Sequence, residues 1–202
     1  MLGIALSTFA VPRNAGAAPV GVMTICAGQG VPAGYLVTAF SKTAACGTAK
    51  LVSYNTMTIR AYAGLRAIAT CAPNANIPRG YVITALSTTA ACKGGQGALV
   101  AWNTMTLTAY EGLRAVRACA PLRNIPSGYL VTAQTTTAAC RGGQAGLVPW
   151  NTMTLTAYEG LATLNACMPL ASPPAGYVIT RQLRLATCSP APGMNAVTLK
   201  RL

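Results

Sequence analysis

The side chains of this chain that could do chemistry are eight cysteines, two carboxylates and fifteen basic residues, and the chain has no histidine. Without histidine it cannot build a Ser-His-Asp triad, a Cys-His nucleophile pair or a histidine metal site. The two carboxylates, Glu111 and Glu159, occupy the same place in consecutive copies of a repeat, so they are not expected to converge on one substrate or cation. We therefore expect no enzymatic activity, no catalytic residue, no metal site and no cofactor.

The cysteines are the most regular of these residues, because they alternate between a shorter and a longer spacing. The closely spaced pairs are Cys26 and Cys46, Cys71 and Cys92, Cys119 and Cys140, and Cys167 and Cys188. No pair has the CxxC spacing typical of metal or redox sites. Among the many pairings that eight cysteines allow, only pairing within each unit leaves four equivalent bridges, so we predict four structural disulfides.

The cysteines belong to a tandem repeat of about 45 to 48 residues. One block reads GYLVTAFSKTAAC at 34–46 and recurs, with changes, at 80–92, 128–140 and 176–188. A second block reads NTMTIRAY at 55–62 and recurs at 103–110, 151–158 and 195–202. These blocks predict four units, at residues 18–62, 63–110, 111–158 and 159–202.

The hydrophobic pattern within each unit has a period of two. Met105, Leu107 and Ala109 alternate with threonines, which predicts a strand with one apolar and one threonine face. The GYVITA segment is rich in β-formers and follows a Pro-x-Gly turn. We predict an all-β protein of four disulfide-bridged β-meander repeats in a linear array, with a small four-bladed propeller as the alternative. Each bridge would stabilise its small unit by about 3 kcal/mol.

The amino-terminal segment predicts export from the cytosol. Met1 to Val11 is a short apolar run, and Ala15 and Ala17 fit an A-x-A cleavage site before Ala18. The run is too short to cross a bilayer, and no later segment is long and apolar enough to do so. We therefore expect residues 1–17 to be a signal peptide, no integral membrane span, and a secreted, cell-surface or periplasmic protein, where disulfides persist.

The candidate ligand-binding residues are three basic side chains and two tryptophans: Lys93, Trp102, Arg114, Arg141 and Trp150. With a formal charge of +13 the surface should attract polyanions such as lipopolysaccharide, teichoic acid, extracellular DNA or acidic glycans. The tryptophans lie beside a variable loop, where they could stack on sugars. The alternative explanation of the charge is solubility, because 52% of the residues are hydrophobic.

Seven tyrosines recur at two places in the repeat, and we expect them to pack in the core or between units. They are Tyr35, Tyr81, Tyr129 and Tyr177 after a glycine, and Tyr62, Tyr110 and Tyr158 at the unit ends.

The favoured function is therefore a secreted structural, surface-display or adhesive protein. The alternative is an extracellular module that binds polyanions or glycans. Exposed edge strands at the two ends of the array could also mediate self-association.

Overall fold

A computed structural model describes residues 21–47, 54–72, 77–95, 102–122, 124–141, 149–170, 172–188 and 193–202. The predicted signal peptide, residues 1–17, lies outside these ranges. The described residues form twelve β-strands and three short 3-10 turns, and none of them forms a helix long and apolar enough to span a membrane.

The strands are arranged as three in each of the four units. Unit 1 contains β1 (Val22–Cys26), β2 (Tyr35–Ser41) and β3 (Thr56–Ala61). Unit 2 contains β4 (Ala67–Cys71), β5 (Tyr81–Ser87) and β6 (Thr104–Ala109). Unit 3 contains β7 (Ala115–Cys119), β8 (Tyr129–Thr135) and β9 (Thr152–Ala157). Unit 4 contains β10 (Thr163–Cys167), β11 (Tyr177–Leu183) and β12 (Ala196–Arg201). The 3-10 turns are Ala44–Cys46, Ala90–Gly95 and Ala138–Cys140.

Each unit is a three-stranded antiparallel sheet in which the third strand lies between the first and the second. Only the second and third strands are therefore neighbours both in sequence and in space. The second strand carries a bulge at the same threonine in every unit, such as Thr38 in β2 and Thr84 in β5, where the register shifts by one residue.

The third strand carries the period-two pattern and forms the middle of the core. In β6 the side chains of Met105 and Leu107 are buried, whereas Thr106 and Thr108 on the opposite face are partly exposed. The same interior position is fully buried in every unit, at Ile59, Leu107, Leu155 and Leu199. The predicted separation of an apolar face and a threonine face is thus what the sheets display.

One disulfide closes each unit, and the four bonds are Cys26–Cys46, Cys71–Cys92, Cys119–Cys140 and Cys167–Cys188. Each bond joins the end of the first strand to the segment that follows the second strand. It therefore fastens together two strands that make no ladder with each other.

The units stack in an open row, because each one contacts the next through the same elements. The second strand of a unit packs on the first strand of the following unit, in the pairs β2–β4, β5–β7 and β8–β10. The sheets do not close into a propeller. The all-β class, the four bridged repeats and the linear array are therefore confirmed.

Candidate functional site

Every sheet has two ends that differ in chemistry. In unit 2, Cys71 and Ser87 both lie opposite Thr104, so the disulfide lies at the end of the sheet where β4 and β5 end and β6 begins, called here the bridge end. Ala67 and Tyr81 lie opposite Thr108 and Ala109 at the other end. That second end, called the turn end, also contains the tight turn that joins one unit to the next.

The turn end is held by a tyrosine that recurs at three junctions. The Tyr81 hydroxyl donates a shared hydrogen bond to the carbonyl oxygens of Tyr62 and Leu65, both at 2.6 Å. These two residues bound the turn between units 1 and 2, in which the Leu65 N–H donates to the Tyr62 carbonyl and Gly64 adopts φ +75°. The rings of Tyr62 and Tyr81 meet edge to face, with their centroids 5.9 Å apart.

The same arrangement, called here the tyrosine clasp, recurs at the next two junctions. Tyr129 contacts the carbonyls of Tyr110 and Leu113, and Tyr177 contacts those of Tyr158 and Leu161. Desolvation by burial raises the pKa of Tyr129, and the neighbouring Tyr110 adds to the increase. Burial and Tyr62 likewise raise the pKa of Tyr81. The hydroxyls of Tyr81 and Tyr129 therefore remain protonated, as hydrogen-bond donors, to higher pH than an exposed tyrosine.

Two adjoining cavities of about 360 and 260 Å³ open beside the first clasp, and together they form what we call the turn groove. Arg66 and Glu111 line both cavities, and Arg79 and Tyr81 line the larger one. A Cβ atom at Gly80 would lie 3.5 Å from the Glu111 carboxylate, and Gly80 has φ +91°, so a side chain there would be strained. The groove presents two guanidinium groups and one carboxylate, a combination that can hold an anion or a polyhydroxylated ligand.

The turn groove lies at the turn end of unit 2, where Glu111 from the start of unit 3 joins it, and the sequence provides the same pair of arginines at no other unit. Arg66 corresponds to Arg114 in unit 3 and to Ala162 in unit 4, while Arg79 corresponds to Ser127 and Ala175. Arg66 and Arg79 were not among the residues predicted from the sequence to bind a ligand, because nothing in their spacing brings them together. The missing information was the strand order, which places the Pro-x-Gly turn of Arg79 beside the inter-unit turn of Arg66.

The five predicted ligand-binding residues do not meet at one place. Lys93, Trp102, Arg141 and Trp150 lie at the bridge end, whereas Arg114 immediately precedes β7 at the turn end. A strand of five residues is about 17 Å long. Arg114 is thus separated from the other four by roughly the length of a sheet.

The two tryptophans differ in their surroundings. Trp102 packs against the buried cluster that contains Leu36 of unit 1 and Ile68 and Met105 of unit 2, so its ring contributes to the core of that junction. Trp150 is half-buried and adopts φ +63°, and its N–H donates to the Thr136 hydroxyl at 3.0 Å. Both tryptophans are half-buried, but only Trp102 is packed against one of the described core clusters, so Trp150 is the better candidate for stacking on a sugar.

The two bridge-end cations are exposed beside the unit junctions. Lys93 and Arg141 each follow the second cysteine of their unit and are exposed. The next residue, Gly94, packs tightly on unit 1, because a Cβ atom there would lie 3.0 Å from the Cβ of Phe40 and 3.2 Å from that of Tyr54. Lys93 therefore lies at the seam between two units, with its charge in solvent.

No family model matches the chain, and neither the curated proteins nor the solved structures contain a match to it.

Proposed function

We propose that this protein is an extracellular structural repeat protein, a disulfide-locked rod that acts as a spacer, display or adhesive element at or beyond the cell surface. The observation that carries the proposal is the position of the hydrophobic core, which lies between consecutive units as well as within them. Such a core resists bending at the junctions, and resistance to bending is the property that a spacer requires.

The shared core is clearest where units 1 and 2 meet. Leu36 belongs to β2 of unit 1, but its side chain packs with Ile68 and Leu107 of unit 2. On the other side of the same strand, Val37 packs with Ile59 of its own unit and with Cys71 of the next. Leu36 and Val37, on opposite faces of β2, are therefore both buried, and separating the two units would expose this apolar surface to water.

Hydrogen bonds across the junctions also help to fix the orientation of one unit on the next. The Thr70 hydroxyl donates to the Val37 carbonyl at 2.8 Å, and both residues are buried. Near the carboxyl end, the Gln134 N–H donates to the Thr187 carbonyl at 2.6 Å. Because hydrogen bonds require a defined geometry, these contacts favour one orientation of each unit on the next.

The chemistry of the bridges supports a location outside the cytosol. Disulfide bonds persist in oxidising compartments and are rare where thiols are kept reduced. Units of about 45 residues have little core of their own, so closing each with a disulfide compensates for their size.

The proposal is tested on protein recovered from its natural source without reduction. We expect extracellular or surface-associated protein that begins at Ala18 and yields four unit-internal bridges in non-reducing peptide mapping. Scattering in solution should give an elongated particle whose length is retained when the ionic strength changes. Cytosolic protein with free thiols, or a flexible chain of independent units, would contradict the proposal.

Binding of polyanions is a second candidate function, and the turn groove is the observation that favours it. Arg66 and Arg79 line one cavity, whereas Lys93 and Arg141 belong to different junctions. Two cations directed into one groove can contact neighbouring anionic groups of one polymer, which scattered charges cannot do.

The matched experiment compares two variants with the same change in net charge. The first is Arg66→Ala with Arg79→Ala, and the second is Lys93→Ala with Arg141→Ala. If the groove binds a sulfated polysaccharide, only the Arg66→Ala and Arg79→Ala double variant should elute from it at a lower salt concentration. The number of counterions released on binding, obtained from the slope of log affinity against log salt concentration, should then fall by about two. Equal losses in both variants would instead indicate diffuse attraction to the net charge.

A further inference from the structure

The three internal junctions are copies of one interface. At each of them a single apolar side chain from the outer side of the second strand inserts into the apolar face of the following unit. We call this residue the knob, and it is Leu36 in unit 1, Val82 in unit 2 and Leu130 in unit 3. The receiving surface, called the front face, consists of the first strand and the disulfide of the next unit.

Unit 4 carries a knob that is not covered by any of the residues the structure describes. Val178 is the corresponding residue of β11, and it is 36% exposed, whereas Leu36 is 4% exposed. The neighbouring Ile179 is 44% exposed, although its counterpart Val37 in unit 1 is buried. The difference arises because β2, β5 and β8 each pack on the first strand of the following unit, whereas among the described residues no such strand lies against β11.

Unit 1 carries the complementary surface, a front face into which no knob inserts within the described residues. Met23 of β1 is 40% exposed, whereas the corresponding Ile68 of β4 is 4% exposed. The Cys26–Cys46 bridge is half-buried, whereas both cysteines of every later bridge are buried beneath the preceding unit. The array therefore ends in the two separated halves of an interface that it forms three times internally.

We propose that the chain assembles head to tail, with the unit 4 knob of one copy inserted into the unit 1 front face of the next copy. Such a contact uses a different surface on each partner, so it leaves one free end of each kind after every addition. The product is a filament in which the repeat continues across chain boundaries. The inference does not depend on the proposed function, because it uses only the geometry of the junctions.

The distribution of charge at the junctions agrees with this arrangement. Arg181 occupies the position after the bulge, where units 1 to 3 have alanine, and the equivalent of Lys93 in unit 1 is Gly47. These two positions lie close together across a junction, because the Thr38 carbonyl oxygen is 3.9 Å from Cys92 Sγ. The first two internal junctions thus place an alanine near a cation, Lys93 or Arg141, and an end-to-end junction would place Arg181 near Gly47, so these two positions do not bring two cations together.

The decisive experiment is complementation between two blocked variants of the full chain, produced with its bridges oxidised. Met23→Glu blocks the front face, and Val178→Glu blocks the knob. Ile77→Glu is the matched control, because Ile77 is an exposed apolar residue, 42% accessible, in a loop away from both ends. Analytical ultracentrifugation measures the mass of each protein over a range of concentrations.

We expect the native chain and the Ile77→Glu control to grow beyond dimers as concentration rises, and each blocked variant to stay monomeric. An equimolar mixture of the two blocked variants should form a one-to-one heterodimer and stop there, because one working knob and one working front face remain. Added salt should strengthen assembly, because it screens repulsion between copies that each carry +13.

Three results would overturn the inference. A native chain that stays monomeric at millimolar concentration would mean that the front face is covered by the chain's own amino-terminal residues or stays solvated. A native dimer that grows no further would indicate contact between identical surfaces. A mixture of blocked variants that remains monomeric would show that the two ends do not recognise each other.

Discussion

At the scale of single residues, the recurring tyrosine and asparagine side chains form hydrogen bonds with backbone groups that lie outside the strand ladders. The Asn103 side chain accepts from the Thr89 N–H at 2.8 Å and donates to the Thr89 carbonyl at 2.9 Å, so it imitates a neighbouring strand. At the opposite end of the sheet, the Tyr129 hydroxyl likewise bonds to backbone atoms, the carbonyl oxygens of Tyr110 and Leu113. Both are polar groups whose hydrogen bonds satisfy backbone atoms, which explains why the repeat keeps them among variable neighbours.

The clasp predicts a specific alkaline sensitivity. An unfolded tyrosine titrates near pH 10, and the raised pKa of Tyr129 keeps its proton bound to higher pH in the folded state. The unfolded chain therefore loses the proton first, so the free energy of unfolding should fall as pH rises above about 10. Tyr129→Phe should cost about 1 kcal/mol at neutral pH, through the lost hydrogen bonds, and should flatten that alkaline decline.

Chemical denaturation between neutral pH and pH 11 measures both effects. Tyr54→Phe is the control, because Tyr54 contacts Phe40 and lies outside the clasps. If the native and Tyr129→Phe curves remained parallel above pH 10, the clasp hydroxyl would not be responsible for the decline.

At the scale of elements, unit 4 differs from the others by paired changes. In unit 2 the hydroxyls of Thr89 and Thr104 lie 2.7 Å apart, and Thr104 also donates to Asn103. In unit 4 the two threonine positions hold Leu185 and Ala196, so a polar contact becomes an apolar one. The asparagine bridge survives, because Asn195 still accepts from the Leu185 N–H at 2.8 Å. The four units thus contain either the pair of threonines or the pair of Leu185 and Ala196, and none contains a mixture of the two.

This exchange predicts a coupling energy in unit 2. Thr89→Leu alone should destabilise the unit, because it removes a partner of the buried Thr104 hydroxyl and places a larger side chain beside it. Adding Thr104→Ala should recover part of the loss, which gives a favourable interaction of about 1 kcal/mol in a double-mutant cycle. Urea unfolding of the four proteins in the cycle measures it, and strictly additive effects would contradict the prediction.

At the scale of the whole molecule, the position of a unit in the row decides how well its bridge is protected. The second strand of each unit covers the disulfide of the next, so the bridges of units 2 to 4 are buried and only Cys26–Cys46 is half-buried. A repeat of near-identical units thus has bonds of unequal accessibility, and the difference is a property of the array rather than of any unit.

In dilute protein, where no second copy covers the front face of unit 1, we therefore expect the Cys26–Cys46 bridge to be reduced first. Exchange requires a thiolate to reach a sulfur atom, and the later bridges are shielded by the preceding unit. Brief treatment with a mild thiol, alkylation and peptide mapping should find label first on Cys26 and Cys46. Simultaneous labelling of all eight cysteines would mean that the units open together, and early labelling of an internal bridge would contradict the shielding.

Local pattern was enough to predict much of the fold. The alternation of Met105, Leu107 and Ala109 with threonines determined strands, because a period of two places alternate side chains on opposite faces of a sheet. The repeated cysteine spacing determined which sulfurs join, since equivalent units need equivalent bridges. The candidate binding residues were less predictable: Arg114 shares its repeat position with Arg66, but nothing in their spacing indicates that only Arg66 meets a second arginine.

The sequence by itself therefore determined the units, their strands and their covalent closure, all of which follow from short-range periodicity. Only the tertiary structure decided that the third strand is central, that Leu36 and Val82 pack on the following unit, and that Val178 does not. A period-two pattern states which side of a strand is apolar but not which neighbour covers it. That neighbour is chosen by packing between units, so the core between units and the exposed surfaces at the two ends emerge only when the row is assembled.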